Sequence, residues 1–255
     1  MRIISISSGK GGVGKTTVAM NLAAALHSMG RNVVLIDCNL TASHLALSLG
    51  MFNNPRTINN FLRKEAQIES AIQTHHSGLR IVPASLELSD LAGIETESMK
   101  EQFRKSLSPY DFVLLDSAPG IGREALIALR ACDEAIFVTT PYIQSVVDAK
   151  KLKSLSNKIG FANAGLALNM VQGKKHELDS NEIERFTELP VIAKIPADDK
   201  IMKCANSRTV CVHEYPKSKP SRAFFKMAAL LSGYNNFQQP FIREQGAWRN
   251  YPRKF

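Results

Sequence analysis

The chain has 255 residues, of which 44% are hydrophobic and 22% are charged, proportions that are ordinary for a folded globular protein. No apolar run reaches the roughly 18 residues that a membrane-spanning helix needs, and Met1-Arg2 leads straight into an apolar segment without the pattern of a signal peptide. We therefore expect a cytoplasmic protein. A formal net charge of +9 favours acidic partners, such as nucleic acid, anionic lipid or a nucleotide, without choosing among them.

The first predicted element is a buried strand at Ile3–Ile6, which is followed by a glycine-rich loop and a helical pattern of apolar residues. Residues 9–16 match G-x-x-x-x-G-K-[ST], and strand, loop and helix stand in the order that a phosphate-binding loop requires. Glycines let backbone N–H groups turn toward phosphate oxygens, and the helix N-terminus adds its positive dipole end. The predicted nucleotide-binding residues of this segment are Gly9, Lys10, Gly11, Gly12, Val13, Gly14, Lys15, Thr16 and Thr17.

Three of these residues have distinct expected roles. Lys15 should bridge the β- and γ-phosphates of a nucleotide, and the Thr16 hydroxyl should bind Mg²⁺. Thr17 should reach the α-phosphate. A plain glycine-rich turn is the alternative, but it would not need the lysine and the hydroxyl residue at the start of a helix.

A second lysine, Lys10, lies inside the loop and gives the segment Lys10–Thr17, K-G-G-V-G-K-T-T. This loop resembles the deviant phosphate loop of the MinD/ParA ATPases, which are relatives of nitrogenase iron protein and of the arsenical pump ATPase. In that family the early lysine reaches across a nucleotide-sandwich dimer to the partner's ATP. The resemblance therefore implies ATP as cofactor and a catalytic Lys10 that couples ATP binding to homodimer formation. From the sequence alone, Lys10 is equally well a solvated lysine of the loop.

The next predicted strand, 32–37, ends in an acid, Asp37, and leads into the segment that resembles the family's first switch. Relatives usually show D-x-D-x-x-x-x-N there, whereas this chain has Asp37, Asn39 and His44 at those positions. The resemblance implies catalytic roles for Lys15, Asp37 and the residue at position 39, which helps position or activate the attacking water. Asn39 can hold a water but cannot accept its proton, so we expect slow hydrolysis or a shifted role for Asp37.

The histidines and cysteines do not form a recognisable metal motif. The adjacent pair His75-His76 has no third ligand at useful spacing, and we expect both rings to be solvated. None of the cysteines forms a C-x-x-C pair, so we expect reduced thiols and no iron–sulfur cluster. The four cysteines are Cys38, Cys132, Cys204 and Cys211.

A second buried strand ending in a carboxylate is predicted at Phe112–Asp116. It resembles the Walker B strand, which implies that Asp116 holds Mg²⁺ through water; a helix-capping aspartate is the alternative. The following Ser117-Ala118-Pro119-Gly120 resembles the family's second switch, although relatives often have D-x-P-A-G. The resemblance implies that the Gly120 N–H senses the γ-phosphate.

Two later segments resemble the base-binding part of the family. Asn169 ends a predicted strand, 164–169, and matches the asparagine that contacts adenine, although Met170 stands where relatives often have arginine. A turn asparagine is the alternative. The last predicted strand ends at Pro196, and the loop that follows flanks the base in relatives, which places Pro196 and Asp198 in the nucleotide site.

Strands alternate with helical patterns along the chain, which predicts a doubly wound, mostly parallel sheet of about seven or eight strands flanked by helices. The resemblance implies a P-loop NTPase of the SIMIBI type. Ligand sites of such sheets lie at the carboxyl ends of the strands, where Lys15, Asp37, Asp116 and Asn169 are all expected. We assign residues 1–233 to one ATPase domain and 234–255 to a tail.

The tail is rich in aromatic and basic side chains. A helix would place the aromatic residues near one face, a pattern suited to an anionic membrane surface, although Gly246 and Pro252 disfavour a continuous helix. A tail that packs on the domain is the alternative. The residues concerned are Phe237, Phe241, Arg243, Trp248, Arg249, Tyr251, Arg253, Lys254 and Phe255.

The resemblance implies an ATPase switch that positions a structure in the cell, such as the division site or a flagellum. ATP binding would form a homodimer, and hydrolysis, stimulated by an activating or client protein, would dissolve it. Peripheral contact with the inner face of the cell membrane would then run through the tail. Two alternatives stay open: a ParA-like DNA-binding ATPase, favoured by the basic stretch 200–226, and a nucleotide-gated binding module with little hydrolysis, favoured by Asn39.

Overall fold

A computed structural model describes residues 1–87, 93 and 96–233 of the chain. Its centre is an eight-stranded sheet in the order β3-β4-β2-β5-β1-β6-β7-β8. All neighbouring strands are parallel except β3 and β4, which form an antiparallel pair at one edge. The strands are β1 (Arg2–Ser7), β2 (Val33–Cys38), β3 (Gln73–Thr74), β4 (Arg80–Val82), β5 (Phe112–Ser117), β6 (Glu134–Thr139), β7 (Ala162–Val171) and β8 (Val191–Pro196).

Helices connect the strands and cover both faces of the sheet, as parallel strands require. A short 3₁₀ helix at Ile68–Ala71 precedes β3. The α-helices of the described residues are α1 (Lys15–Ser28), α2 (Leu45–Ser48), α3 (Ile58–Leu62), α4 (Met99–Ser106), α5 (Arg123–Ala131), α6 (Ile143–Ile159), α7 (Ser180–Thr187), α8 (Asp199–Asn206), α9 (Cys211–Glu214) and α10 (Lys219–Leu231).

The alternation of side chains along each strand divides the core into two apolar layers. On β1, Ile4 and Ile6 pack with α1, α9 and α10 on one face, whereas Ile3 packs with α4 to α7 on the other. The central strands are buried over their whole length, because both faces are covered. They are therefore continuous apolar runs in the sequence and do not alternate with polar residues.

Strand β1 lies between β5 and β6, so the chain winds outward in both directions from the centre of the sheet. This is the topological switch point at which ligands of such sheets bind. The loop after β1 and the ends of β2 and β5 meet there, and Asp37 and Asp116 are register partners on neighbouring strands. The doubly wound fold predicted from the sequence is confirmed.

Most predicted elements are present within a few residues of their expected bounds. The helix α7 begins with a side-chain cap: Asp179 accepts a hydrogen bond from the Asn181 N–H at 2.8 Å. Strand β3 and the helices α8 and α9 were not predicted. The division at residue 233 stays a prediction, since residues 234–255 lie outside the described residues.

Candidate functional site

The phosphate-loop segment follows β1, and two of its glycines are required by close contacts. Gly14 has a φ of +83°, and a Cβ there would lie 2.2 Å from the Asn169 side-chain nitrogen. A Cβ on Gly9 would lie 2.4 Å from the Cβ of Asp148 on α6. No side chain larger than hydrogen fits at either position, so the loop backbone can pass between α6 and β7. Val13, between these glycines, is buried in the core.

Lys15 and Thr16, the first residues of α1, converge on Asp116 at the end of β5. The Lys15 ammonium lies 2.5 Å from Asp116 Oδ1, and the Thr16 hydroxyl donates to Asp116 Oδ2 at 2.7 Å. Lys15 and Asp116 form a buried ion pair whose side chains are 7% and 2% exposed. The loop lysine and the loop hydroxyl thus form one cluster with the Walker B-like acid. Thr16 and Asp116 are 100 residues apart in sequence.

Asp37 lies beside this cluster, fully buried at the end of β2. Its Oδ1 accepts from the Asn39 backbone N–H at 3.0 Å, and its Oδ2 accepts from the Ser43 hydroxyl at 2.7 Å. Burial, followed by the charge of Asp116, raises the pKa of Asp37 to about 7 despite these hydrogen bonds. Ser43 was not singled out from the sequence; its position six residues after the strand-end acid was the only available signal.

Asn39 makes two contacts in the first switch segment. Besides the backbone bond to Asp37, its side-chain amide donates to the Ala42 carbonyl at 2.6 Å. The structure therefore places Asn39 next to Asp37, as the family pattern implies, but holds its amide within the loop. The Thr41 hydroxyl donates to Glu124 on α5, which links this segment to the helix after the second switch.

The second switch follows β5, and Gly120 takes a φ of +87° there. Its N–H donates to the Ser8 carbonyl at 2.8 Å, at the start of the phosphate-loop segment. The Gly120 N–H is therefore engaged with Ser8 in this structure, and its contact with a γ-phosphate stays a prediction. Contact with a γ-phosphate would require the Ser8–Gly120 bond to exchange for it.

The predicted base-binding residues divide into two kinds. The Asn169 amide, almost fully buried, donates to the Val13 carbonyl at 2.8 Å and so supports the phosphate loop. Pro196 ends β8, and Asp198 caps α8 by accepting from the Lys200 N–H at 2.9 Å. Asn169 thus contacts the phosphate loop directly, whereas Asp198 caps a helix. Contact of either residue with the base stays a prediction.

Two further residues of the loop differ in exposure, since Lys10 is exposed and Thr17 is half-buried. Lys10 is exposed at the tip of the loop, and its backbone carbonyl accepts from the Ser8 hydroxyl at 3.0 Å. Thr17 lies in the first turn of α1, where its carbonyl accepts from the Asn21 amide at 2.9 Å. Lys10 is therefore accessible to solvent, whereas Lys15 is buried beside Asp116.

The histidine prediction is wrong for one of the two residues. His76 is exposed, but His75 is only 5% exposed, and its ring contacts the Ser77 hydroxyl at 2.8 Å and the Leu49 carbonyl at 3.0 Å. It fills the gap between the β3–β4 hairpin and α2. Among the described residues, no group of three or more His, Cys, Asp and Glu side chains could hold a metal ion. No helix in residues 1–87, 93 or 96–233 has the length and apolarity to cross a membrane.

The donor set fits a magnesium–nucleotide complex. Two buried carboxylates, Asp37 and Asp116, are register partners, the Lys15 ammonium contacts Asp116, and Thr16 adds a hydroxyl oxygen. Oxygen ligands are those that Mg²⁺ prefers, and a cation there would offset the repulsion between the acids. The N-terminus of the 14-residue helix α1 points into the same space, which suits phosphate.

Comparison with known proteins agrees with this geometry. The family model described as "ParA: NUBPL iron-transfer P-loop NTPase" matches residues 1–232. An uncharacterized ATP-binding protein of Methanocaldococcus jannaschii is 34% identical over 90% of this chain and 87% of its own. The septum site-determining protein MinD of Synechocystis is 32% identical over 91% of this chain and 90% of its own.

Solved structures give the same result. The cell division ATPase MinD of Pyrococcus furiosus superposes with a TM-score of 0.86 at 32% identity and covers 91% of this chain and 98% of its own. MinD of Pyrococcus horikoshii, complexed with Mg-ADP, has a TM-score of 0.84 at 33% identity. The match covers 90% of this chain and 95% of that MinD chain. The chain therefore belongs to the ParA family of P-loop NTPases and is one of the MinD-like proteins within the MinD/ParA group.

Proposed function

We propose that this protein is a MinD-like ATPase that works as an ATP-dependent switch in spatial positioning. The observation that carries the proposal is the convergence of Lys15 and Thr16 on Asp116 below a glycine loop. ATP and Mg²⁺ are its cofactors, as in the MinD neighbour from P. horikoshii that is complexed with Mg-ADP. The relatives named for septum siting, and the antiactivator FleN, which is 28% identical, support a role in division or flagellar control.

Each residue of the site has a part in this proposal. Lys15 binds the β- and γ-phosphates, and the loop N–H groups and the α1 N-terminus hold the remaining phosphate oxygens. Thr16 and Asp116 hold Mg²⁺, which neutralises phosphate charge. Asp37, with Asn39 beside it, orients the attacking water. The Lys15 ammonium lies 2.5 Å from Asp116, so the residue proposed for phosphate and the residue proposed for Mg²⁺ are in direct contact.

Dimer formation and partner binding are the finer parts of the proposal. Lys10 is exposed, so it can reach the nucleotide of a second copy of the chain without disturbing Lys15. A MinC:MinD complex is known for Aquifex aeolicus, whose MinD is 27% identical to this chain, and it supports an activating or client protein. We propose a cytoplasmic protein that contacts the inner face of the cell membrane through residues 234–255.

The first test is the substitution Lys15→Ala, with nucleotide binding measured by titration of a fluorescent ATP analogue in the presence of Mg²⁺. We expect loss of binding, because no other cation lies next to Asp116 among the described side chains that contact it. Lys105→Ala, at an exposed position on α4, is the matched control and should bind as the unmodified protein does. Binding of unchanged affinity by the Lys15 variant would refute the phosphate-loop assignment.

Two alternatives keep specific support. A ParA-like DNA-binding ATPase is favoured by the basic stretch 200–226, in which the exposed side chains include Lys203, Arg208, Lys217, Lys219, Arg222 and Lys226. DNA stimulation that falls steeply with salt would support it, whereas stimulation by anionic vesicles that is lost on truncation after Gly233 would support the membrane proposal. A binding module with little hydrolysis is favoured by Asn39, and it predicts tight ATP binding and stable dimers without phosphate release.

A further inference from the structure

Ser43 is the inward-facing residue at the exposed tip of the first switch segment. Residues 41–42 and His44 on either side of it are exposed, whereas Ser43 is 4% exposed. Its hydroxyl lies 2.7 Å from Asp37 Oδ2 and 3.4 Å from the Ala84 carbonyl oxygen. A distance of 2.7 Å is that of a well-formed O–H···O bond, and 3.4 Å is not. The Ser43 hydroxyl therefore donates its proton to Asp37.

The Asp37 carboxyl group closes the loop after β2 by accepting three hydrogen bonds. Its Oδ1 accepts from the Asn39 N–H at 3.0 Å, and its Oδ2 accepts from the Leu45 N–H at 3.4 Å as well as from the Ser43 hydroxyl. The Asn39 and Leu45 donors are backbone groups, which almost any residue would supply. The Ser43 hydroxyl is the side-chain donor of the three, so it is the bond that the choice of residue controls.

Two buried leucines anchor the same loop on opposite faces of the sheet. Leu40 packs in the core layer that includes Phe61 on α3, and Leu45 packs in the layer that includes Val18 on α1. Between the leucines, Ser43 is the buried residue of the tip. Without the Ser43 hydroxyl, the loop would keep both leucine anchors but lose the bond that ties its tip to Asp37.

The bond from Ser43 also bears on Asn39. Asp37 Oδ1 holds the Asn39 backbone, and the Asn39 amide donates to the Ala42 carbonyl, one residue before Ser43, at 2.6 Å. The two oxygens of Asp37 belong to one planar group, so a rotation of that group would move the contacts on both oxygens together. The Ser43 hydroxyl on Oδ2 therefore helps to fix Asn39 on Oδ1.

We propose that Ser43 is a positioning residue for ATP hydrolysis: its hydroxyl fixes the Asp37 carboxyl group, and through it Asn39, in the orientation that holds the attacking water. This role rests on the function proposed above, in which Asp37 and Asn39 orient that water. The hold of Ser43 on the loop does not rest on it. A displaced orienting group slows the chemical step, whereas the phosphate loop still binds the nucleotide, so the effect falls on turnover and not on affinity.

The first measurement is phosphate release by the full chain in saturating Mg-ATP. We expect Ser43→Ala to release phosphate about tenfold more slowly than the unmodified protein, because the orienting groups are no longer held in place. Its affinity for a fluorescent ATP analogue should stay within about twofold. Ser43→Thr keeps the hydroxyl and should recover most of the rate.

Ser156→Ala is the matched control for the loss of a buried hydroxyl. Ser156 on α6 is fully buried, and its hydroxyl donates to the Lys153 carbonyl at 2.7 Å. The control therefore loses a hydrogen bond of the same length outside the first switch segment. We expect it to release phosphate at the rate of the unmodified protein.

Hydrogen–deuterium exchange without nucleotide tests the hold on the loop by itself. We expect residues 38–46 to exchange faster in Ser43→Ala, because the Asn39 and Leu45 N–H groups donate to an Asp37 that is no longer fixed. Ser43→Thr and Ser156→Ala should exchange in this segment as the unmodified protein does. Unchanged exchange in Ser43→Ala would overturn the hold of Ser43 on the loop.

Two results would overturn the role in hydrolysis. One is an unchanged rate of phosphate release by Ser43→Ala, and the other is a Ser43→Thr variant that is as slow as Ser43→Ala. If the unmodified protein released no phosphate, the proposed hydrolysis itself would fail, and the exchange measurement would still decide whether Ser43 holds the loop. Circular dichroism checks folding, and Ser43→Cys, whose thiol is a weaker donor, replaces Ser43→Ala in both measurements if that variant does not fold.

Discussion

At the residue scale, the site is defined by what surrounds two buried carboxylates. Asp116 is engaged by the Lys15 ammonium and the Thr16 hydroxyl, whereas Asp37 is held by the Asn39 N–H and the Ser43 hydroxyl. The neighbours of Asp116 are those that bind phosphate and Mg²⁺, and the neighbours of Asp37 belong to the loop that follows β2. The two acids are therefore adjacent in space, but Asp116 is held by the start of α1 and Asp37 is held by the loop after β2.

Substitution of Asn39 by Asp tests whether this position limits hydrolysis. The change supplies a carboxylate that can accept a proton from water, and we expect phosphate release to rise by about tenfold or more. The measurement is the steady-state rate of phosphate release with Mg-ATP, together with the affinity for a fluorescent analogue.

Asn54→Asp is the matched control for the Asn39 variant. The Asn54 amide also donates to a nearby carbonyl, that of Met51 at 3.1 Å, so the control loses a similar bond and adds the same charge away from the site. We expect no change in its rate. An Asn39→Asp variant that binds nucleotide normally but releases phosphate no faster would show that position 39 does not limit turnover.

The position of a residue could be predicted from the sequence where a motif fixes its neighbours. The phosphate-loop pattern predicts Lys15 and Thr16 at the start of a helix, and the structure has them in the first turn of α1. Ser43 and the Gly120–Ser8 bond follow from how two loops fold over the strand ends, and no local pattern specifies this. The prediction of an exposed His75 was wrong for the same reason, because its buried ring contacts the Leu49 carbonyl, which is 26 residues away in sequence.

At the element scale, α10 closes the sheet face that carries α1. Phe224 is fully buried in this layer, whereas Leu230 on the same helix is 54% exposed. We expect Phe224→Ala to lower the free energy of unfolding by about 3 to 5 kcal/mol, because it leaves a cavity in a packed core. Urea unfolding measures the loss, and Leu230→Ala should change stability by less than about 0.5 kcal/mol. Equal losses would contradict the packing of α10 described here.

The β3–β4 hairpin gives the fold a predictable sensitivity to acid. Burial, and then the neighbouring His76, lower the pKa of His75 to about 4, below the ordinary value of 6.5. Burial and three nearby histidines likewise lower the pKa of His213, on α9, to about 4. Because the unfolded chain binds these protons more readily, the stabilisation is complete above pH 6.5 and is lost as the pH falls toward 4.

Thermal melts at pH 7.5 and pH 5 measure this loss. We expect the free energy of unfolding to fall by about 1 kcal/mol for each of His75 and His213 at pH 5, after allowance for solvent screening. His75→Gln should be less stable at pH 7.5 but lose less on acidification. His176→Gln, at an exposed position, is the control and should keep the full loss. A His75 variant with an unchanged pH dependence would refute the assignment.

Elements with strong periodicity were predicted from the sequence, and short ones were not. The central strands are continuous apolar runs, so hydrophobic pattern alone located them. Strand β3 has two residues, and α9 has four, which is too few for a period to show. Helix α8 has eight residues, of which only Cys204 is buried.

At the scale of the whole molecule, one parallel sheet brings residues from distant parts of the chain to a single edge. The fold and this edge could be predicted, because the loop motif and the strand-end acids specify a P-loop sheet. The molecule that binds at this edge could not be predicted, because the sequence of one copy does not show which surface a second copy or a partner protein contacts. The exposed Lys10 of the phosphate loop is the feature that favours contact with a second copy of the chain.

The most direct test of the account is a mass measurement on the full chain, by light scattering, with phosphate release followed in parallel in Mg-ATP and in Mg-ADP. We predict a monomer in Mg-ADP, a dimer in Mg-ATP, and dissociation as phosphate is released. Lys10→Ala should bind ATP as a monomer but fail to form the dimer, whereas Lys105→Ala should behave as the unmodified protein. A chain that stays monomeric in Mg-ATP, or a Lys10 variant that forms the dimer normally, would contradict the proposed switch.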